Sequence, residues 1–208
     1  MEILGPPDIG KSQLAYLVAK RLNGNHLALP VLDPSSSTGS LLLANLTTNM
    51  QLLEKIPQWW AHIYMANTFE QKERIEALKK VGPVILTNYV ASFRVYNRSI
   101  EASSNLAGYA AGLQEPDYIF QVQGPEWTNR PSNLLLDYTP EVKNKLKRSF
   151  MNARVPKATK VSFNTTLNSK TQQLNLLAIE ISEIVSRKSK IPLNLEMLYQ
   201  KNQFDILK

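Results

Sequence analysis

Gly5-Pro6-Pro7-Asp8-Ile9-Gly10-Lys11-Ser12 reads G-x-x-x-x-G-K-S. It follows the short apolar start Met1, Ile3, Leu4 and precedes a helix-like run from Gln13 to Leu22. Strand, loop and helix in that order form the context a P-loop requires. A loop between two glycines can turn its backbone N–H groups onto phosphate oxygens. The helix behind it adds a positive N-terminal end. The pattern therefore implies a nucleoside triphosphate, with Gly5, Asp8, Gly10, Lys11, Ser12 and Gln13 as the binding residues. Lys11 is placed to reach the terminal phosphates, and the Ser12 hydroxyl to ligate Mg²⁺. ATP and Mg²⁺ are the implied cofactors. Pro6 and Pro7 remove two N–H donors from the loop, so the cradle rests on the remaining residues.

Working outward, Leu14, Leu17, Val18 and Leu22 form an apolar stripe at helical spacing, ended by Asn23-Gly24. His26 to Leu32 reads as a second strand. Asp33 to Gly39 is a loop in which Thr38 is the expected cap of a helix from Ser40 to Leu46. Trp59 to Lys80 reads as one long helix, stopped by Gly82-Pro83. Val84-Ile85-Leu86 is the continuous apolar run of a buried parallel strand. Ser92 to Arg98 begins another helix, and Asp117 to Val122 a further strand. Gln123 to Asp137 is polar and loop-like. Glu141 to Asn152 reads as a basic helix, Val161 to Phe163 as a short strand, and Leu174 to Val185 as a helix. Alternating strands and helices imply a parallel sheet covered on both faces. The expected fold is an α/β P-loop NTPase, a three-layer α/β/α sandwich around a mainly parallel five-stranded sheet. Residues 1–208 are expected to form one domain, with a lid-like segment at about 124–138.

The composition is that of a globular chain: 208 residues, 43% hydrophobic and 20% charged. The net charge of +7 favours anionic ligands. With no cysteine, thiolate chemistry and Cys-based zinc sites are excluded. No run of about 18 apolar residues suggests a membrane span. With no signal or transit pattern recognised, the expected location is cytoplasmic or nuclear. His26 and His62 lack ligand spacing and read as structural. The basic stretch Lys143, Lys145, Lys147, Arg148, Arg154, Lys157 and Lys160 lacks interleaved aromatics, so a solvated helix face is expected rather than a nucleic-acid footprint.

Three further segments follow the P-loop in a telling order. They are Tyr64-Met65-Ala66-Asn67-Thr68-Phe69-Glu70-Gln71, then Val84 to Ser92 (VILTNYVAS), then Gly112-Leu113-Gln114-Glu115-Pro116-Asp117-Tyr118-Ile119-Phe120. Together with the P-loop they resemble thymidylate kinases of the eukaryotic and poxviral type, whose corresponding segments read F-S-A-N-R-W-E, V-x-V-D-R-Y-x-x-S and G-L-P-K-P-D-L-V-x-F. The resemblance covers residues 1–126 well and the remainder loosely. It implies a kinase transferring the ATP γ-phosphoryl group to dTMP or a related nucleoside monophosphate. It places Tyr64 against the base, and Ser92, Tyr96 and Asn97 around base and sugar. It makes Arg130, in the lid-like segment, a catalytic cation beside Lys11. A homodimer is implied as well, with the Trp59-Trp60 pair suited to such a surface; recruitment into a larger assembly is the alternative.

The departures fall on polar residues of the acceptor half. The family's acid in the P-loop is replaced by Pro7, with Asp8 the neighbouring candidate for its catalytic role. The D-R-Y string becomes Thr87-Asn88-Tyr89, the arginine of F-S-A-N-R-W-E becomes Thr68, and no arginine stands near Ser35 and Ser36. A hydroxyl or amide supplies neither the charge nor the fork of a guanidinium. Each lost charge-assisted hydrogen bond is worth about 1.5–3 kcal/mol. Arg94 and Arg98 are candidate replacements, with surface charge as their alternative role. Glu70 matches a family residue, with a solvated carboxylate as its plain reading. Two other functions follow from these losses. One is a degenerate kinase fold kept as a nucleotide-binding or interaction module. The other is a deoxynucleoside kinase, whose acceptor needs no phosphate grip.

Overall fold

The computed structural model describes residues 1–7, 9–48, 57–99, 112–124, 140–163 and 169–194. Its strands are β1 (Glu2–Leu4), β2 (Asn25–Ala28), β3 (Val84–Thr87), β4 (Ile119–Gln123) and β5 (Ala158–Ser162). They form one sheet in the order β2-β3-β1-β4-β5, with every pairing parallel. The helices are α1 (Lys11–Arg21), α2 (Ser37–Thr48), α3 (Pro57–Glu70), α4 (Lys72–Val81), α5 (Val90–Ser99), α6 (Pro140–Asn152) and α7 (Lys170–Ser189). β1 lies at the centre, so the chain passes from its left side to its right between β3 and β4. Ligands of open α/β sheets sit at such a switch point, beyond the carboxyl ends of the strands.

The parallel sheet is covered on both sides, as its apolar strands require. On one side Ile3, Ile85, Phe120, Val122 and Val161 pack against Leu14, Ala15 and Val18 of α1 and Leu177, Ala178 and Ile181 of α7. On the other, Leu27, Val84 and Leu86 meet Leu42, Tyr64, Met65, Ile75 and Phe93. Beside them Leu4 and Ile119 pack with Val95 of α5 and with Leu146 and Phe150 of α6.

Two expectations need correction. Trp59 to Lys80 is not one helix: α3 and α4 meet at Gln71, which has φ −82° and ψ −2°. Backbone hydrogen bonds continue across the junction, from Gln71 N–H to Asn67 and from Ile75 N–H to Gln71. Just before the junction Asn67 and Glu70 are held by the segment from Val31 to Thr38, whereas α4 beyond it packs against β3. Thr38 lies inside α2 rather than capping it, because α2 begins at Ser37 and is capped by the Ser36 hydroxyl, which accepts the Gly39 N–H at 2.9 Å, together with the Glu70 carboxylate.

Within this frame Glu2 is a carboxyl fully buried on the central strand. One oxygen accepts the N–H groups of Tyr89 (3.0 Å) and Ser92 (2.8 Å) and the Ser92 hydroxyl (2.7 Å). The other accepts the Ala91 N–H at 2.9 Å. Glu2 thus fills the N-terminal end of α5, where the first N–H groups of a helix lack partners within the helix. Burial, the largest influence, pushes its pKa above the usual 4.5, against the opposing pull of these hydrogen bonds. A raised folded-state pKa gives a contribution to stability that is complete below 4.5 and lost as pH rises through the raised value. The unfolding free energy of the wild type relative to Glu2→Gln should therefore fall as pH rises from 4.5 towards 8. Urea denaturation across that range measures it, and a flat difference would show that Glu2 carries no desolvation penalty.

Candidate nucleotide site

The loop that leaves β1 is shaped by close approaches. A Cβ on Gly5 would stand 3.0 Å from the Val122 carbonyl oxygen of β4, so only glycine lets the loop pass without displacement. Ile9 points inward and is fully buried against Leu14 and Phe120 in the core. Gly10 takes φ +88° and ψ 18°, a left-handed conformation suited to glycine, at the N-cap of α1. Gly10 has no side chain with which to cap the helix. The first intrahelical bond runs from Leu14 N–H to Gly10 at 3.0 Å, so the N–H groups ahead of it are the ones a P-loop offers to an anion.

Lys11 folds back across the loop and donates to the Pro6 carbonyl at 2.8 Å. Ser12 and Gln13 are exposed beside it. The donor set fits a nucleotide with Mg²⁺: the amides at a glycine-started helix, one ammonium and one accessible hydroxyl. Asp8 and Arg130 lie outside the described residues, as does most of the lid-like segment.

Other helix starts differ. The Glu70 carboxylate accepts the N–H groups of Ser37 (3.1 Å) and Thr38 (3.3 Å) and the Thr38 hydroxyl, closing the start of α2. Glu2 closes α5. The Ser169 hydroxyl accepts the Gln172 N–H at 3.4 Å at the start of α7. α4 merely continues α3. Of these starts, that of α1 is left to a glycine.

The residues expected around the acceptor occupy mixed positions. Tyr64 is buried, stacks on Phe93 at 5.6 Å between ring centroids, and donates its hydroxyl to the Asn88 carbonyl. Ser92 is buried and bonded to Glu2. Arg94 is exposed and paired with Glu115. Tyr96 is half-buried between two apolar clusters. Asn97 is buried, and its Oδ1 has no partner among the described residues. Arg98 is exposed. Trp59 is half-buried, and the side chain of Trp60 lies outside the described residues.

The residues standing where the family has arginine or acid are drawn into the fold. Thr68 is buried and donates to the Tyr64 carbonyl at 3.0 Å. Asn88 takes φ +58° and donates to the Leu29 carbonyl at 3.0 Å. Thr87 is fully buried, and its hydroxyl has no partner among the described residues. Asp33 accepts the N–H and hydroxyl of Ser35, at 2.8 and 2.6 Å. Those bonds hold its carboxyl below the usual range.

Three contributors were not singled out by their sequence: Glu2, Ile9 and Asn67. Asn67 is fully buried and clamps Val31 from both sides, accepting its N–H at 2.8 Å and donating to its carbonyl at 3.0 Å. It also donates to the Thr38 hydroxyl at 2.9 Å. Its place within the segment Tyr64 to Gln71 was the available signal. Asn67→Ala should cost about 1–3 kcal/mol by urea denaturation, because it orphans buried backbone groups. Glu70→Ala, at an exposed cap, should cost less; the reverse order would show that the cap rather than the clamp holds α2.

No family model matches the chain, and no curated protein matches it in sequence. Among solved structures, a thymidylate kinase from Candida albicans is similar, with a TM-score of 0.60, 18% identity, and 92% of each chain covered. A likeness at that identity shows the fold: a five-stranded parallel α/β sandwich of the P-loop NTPase kind.

Proposed function

We propose that the chain binds ATP with Mg²⁺ at Gly5 to Ser12 and acts as a nucleotide kinase, moving the γ-phosphoryl group to a nucleoside monophosphate, with dTMP the first acceptor to test. The observation that carries the donor half is the glycine-capped start of α1, with Lys11 and Ser12 on its first turn. The fold shared with a thymidylate kinase supports the same reading.

In this reading the α1 amides and Lys11 hold the phosphate chain. Lys11 exchanges a neutral carbonyl for a phosphate oxygen, a stronger charge-assisted partner. The Ser12 hydroxyl holds the metal, which when bound offsets charge on the phosphates. Arg130 and Asp8, which lie outside the described residues, are the expected cation for the transferring group and the expected substitute for the acid missing at Pro7. Tyr64, Ser92, Arg94, Tyr96 and Asn97 form the acceptor side. The work required is positioning and electrostatic stabilisation more than covalent chemistry.

One observation favours a second reading, a nucleotide-binding module without transfer. Tyr64, Ser92 and Arg94 already have internal partners, in Asn88, Glu2 and Glu115. ATP–Mg²⁺ titration beside ADP release with nucleoside monophosphates and nucleosides separates the readings. Turnover with dTMP is expected. Binding without turnover selects the module, and turnover on nucleosides alone selects a deoxynucleoside kinase. Lys11→Ala should weaken ATP binding by about tenfold or more; unchanged affinity would remove the donor site itself.

A further inference from the structure

α7 reaches the P-loop with a charged residue that the donor site has not yet used. Lys170 is the first residue of α7, directly after its Ser169 cap. A Cβ placed on Gly10 would lie 3.5 Å from Leu174 Cδ2 and 3.8 Å from Lys170 Cε. The first turn of α7 is therefore seated on the residue where the loop becomes α1. Leu174 is buried in the core shared with Ile9 and Leu14, which fixes the base of that turn. α7 then packs along α1 through Leu177, Ala178 and Ile181. Lys170 is half-buried, with the end of its methylene chain against Gly10 and its ammonium one bond beyond.

The geometry points to Lys170 as a second phosphate-side cation, acting with Lys11 to favour nucleotides with longer phosphate chains. The inference rests on the donor-site reading proposed for Gly5 to Ser12 and deepens it. A lysine is a compact charge with rotatable donors on a flexible stem. Anchored at α7, its ammonium can follow the terminal phosphates of a ligand held on the α1 amides. Lys11 approaches from within the loop, and Lys170 from the neighbouring helix. The attraction grows with each added phosphate, so the effect is greatest for ATP, smaller for ADP and negligible for AMP.

The test uses the full chain and calorimetric titration of ATP, ADP and AMP with Mg²⁺, at low and high salt. Lys170→Met keeps the packing against Gly10 and removes the charge. It should weaken ATP about tenfold, ADP less and AMP not at all, and flatten the salt dependence of ATP binding. Lys170→Arg should keep most of the ATP affinity. If Lys170→Met proves unstable by its thermal midpoint, Lys170→Gln serves the same comparison. ATP affinity unchanged in Lys170→Met, with Lys11→Ala still defective, overturns the role of Lys170 alone. Equal weakening of ATP, ADP and AMP overturns it too, since packing rather than charge would then be responsible. If Lys11→Ala also binds ATP normally, the donor site and this inference fall together.

Discussion

The buried carboxyl of Glu2 ties the central strand to the start of α5. β1 runs straight into the P-loop, and Glu2 stands three residues before Gly5. Through four hydrogen bonds it also fixes Tyr89, Ala91 and Ser92, the entry to α5. The loop after β1 and the start of α5 are thus referred to the same strand. The cost is the burial of an acidic group, reflected in its raised pKa. The gain is a fixed register between two elements far apart in sequence. An apolar residue at this position would leave three buried N–H groups and a hydroxyl without their acceptor, which is the more expensive state.

Much of the fold was legible because it rests on local signals. The glycine spacing around Lys11, the helical stripe of Leu14, Leu17, Val18 and Leu22, and the run Val84-Ile85-Leu86 each state their structure within a few residues. What escaped depends on partners distant in the chain. Glu2 reads as an ordinary acid until it meets Ser92 ninety residues on. Asn67 and Glu70 read as parts of an uninterrupted helix until the segment from Val31 to Thr38 docks on them. That docking ends just before the α3–α4 junction at Gln71, where the sequence carries no glycine or proline. Ile9 reads as a loop residue because only the folded core shows what it anchors.

The helix starts make an electrostatic pattern that no single motif contains. The amino end of a helix attracts negative charge, and a protein can satisfy it from within or leave it for a ligand. Here α2 receives Glu70, α5 receives Glu2 and α7 receives Ser169. α1 receives glycine in a left-handed conformation. The contrast supports the proposed donor reading independently of the motif's letters: the starts of α2, α5 and α7 hold side-chain acceptors, and that of α1 holds a glycine. Lys11, turned onto the Pro6 carbonyl, is held near the same place by a partner weaker than phosphate.

The residues proposed for the acceptor side show the opposite pattern. Thr68 back-bonds within α3, Asn88 reaches to Leu29, and Thr87 is sealed in the sheet. Replacing guanidinium groups with these side chains removes charge from the site and also removes the need for an anion to balance it. A buried arginine without its phosphate would be an uncompensated cation, expensive in the empty protein. A threonine or asparagine that finds a carbonyl partner leaves the empty state satisfied. In the proposed kinase reading, a weaker acceptor grip and fewer unpaired cations in the empty protein follow from the same residues. Such a pattern satisfies Thr68 and Asn88 without an acceptor and leaves the proposed donor residues Lys11 and Ser12 in place. Phosphoryl transfer by this chain must then draw its acceptor charge from groups other than the ones replaced, and among the described residues of α5 the cations facing that task are Arg94, engaged by Glu115, and Arg98.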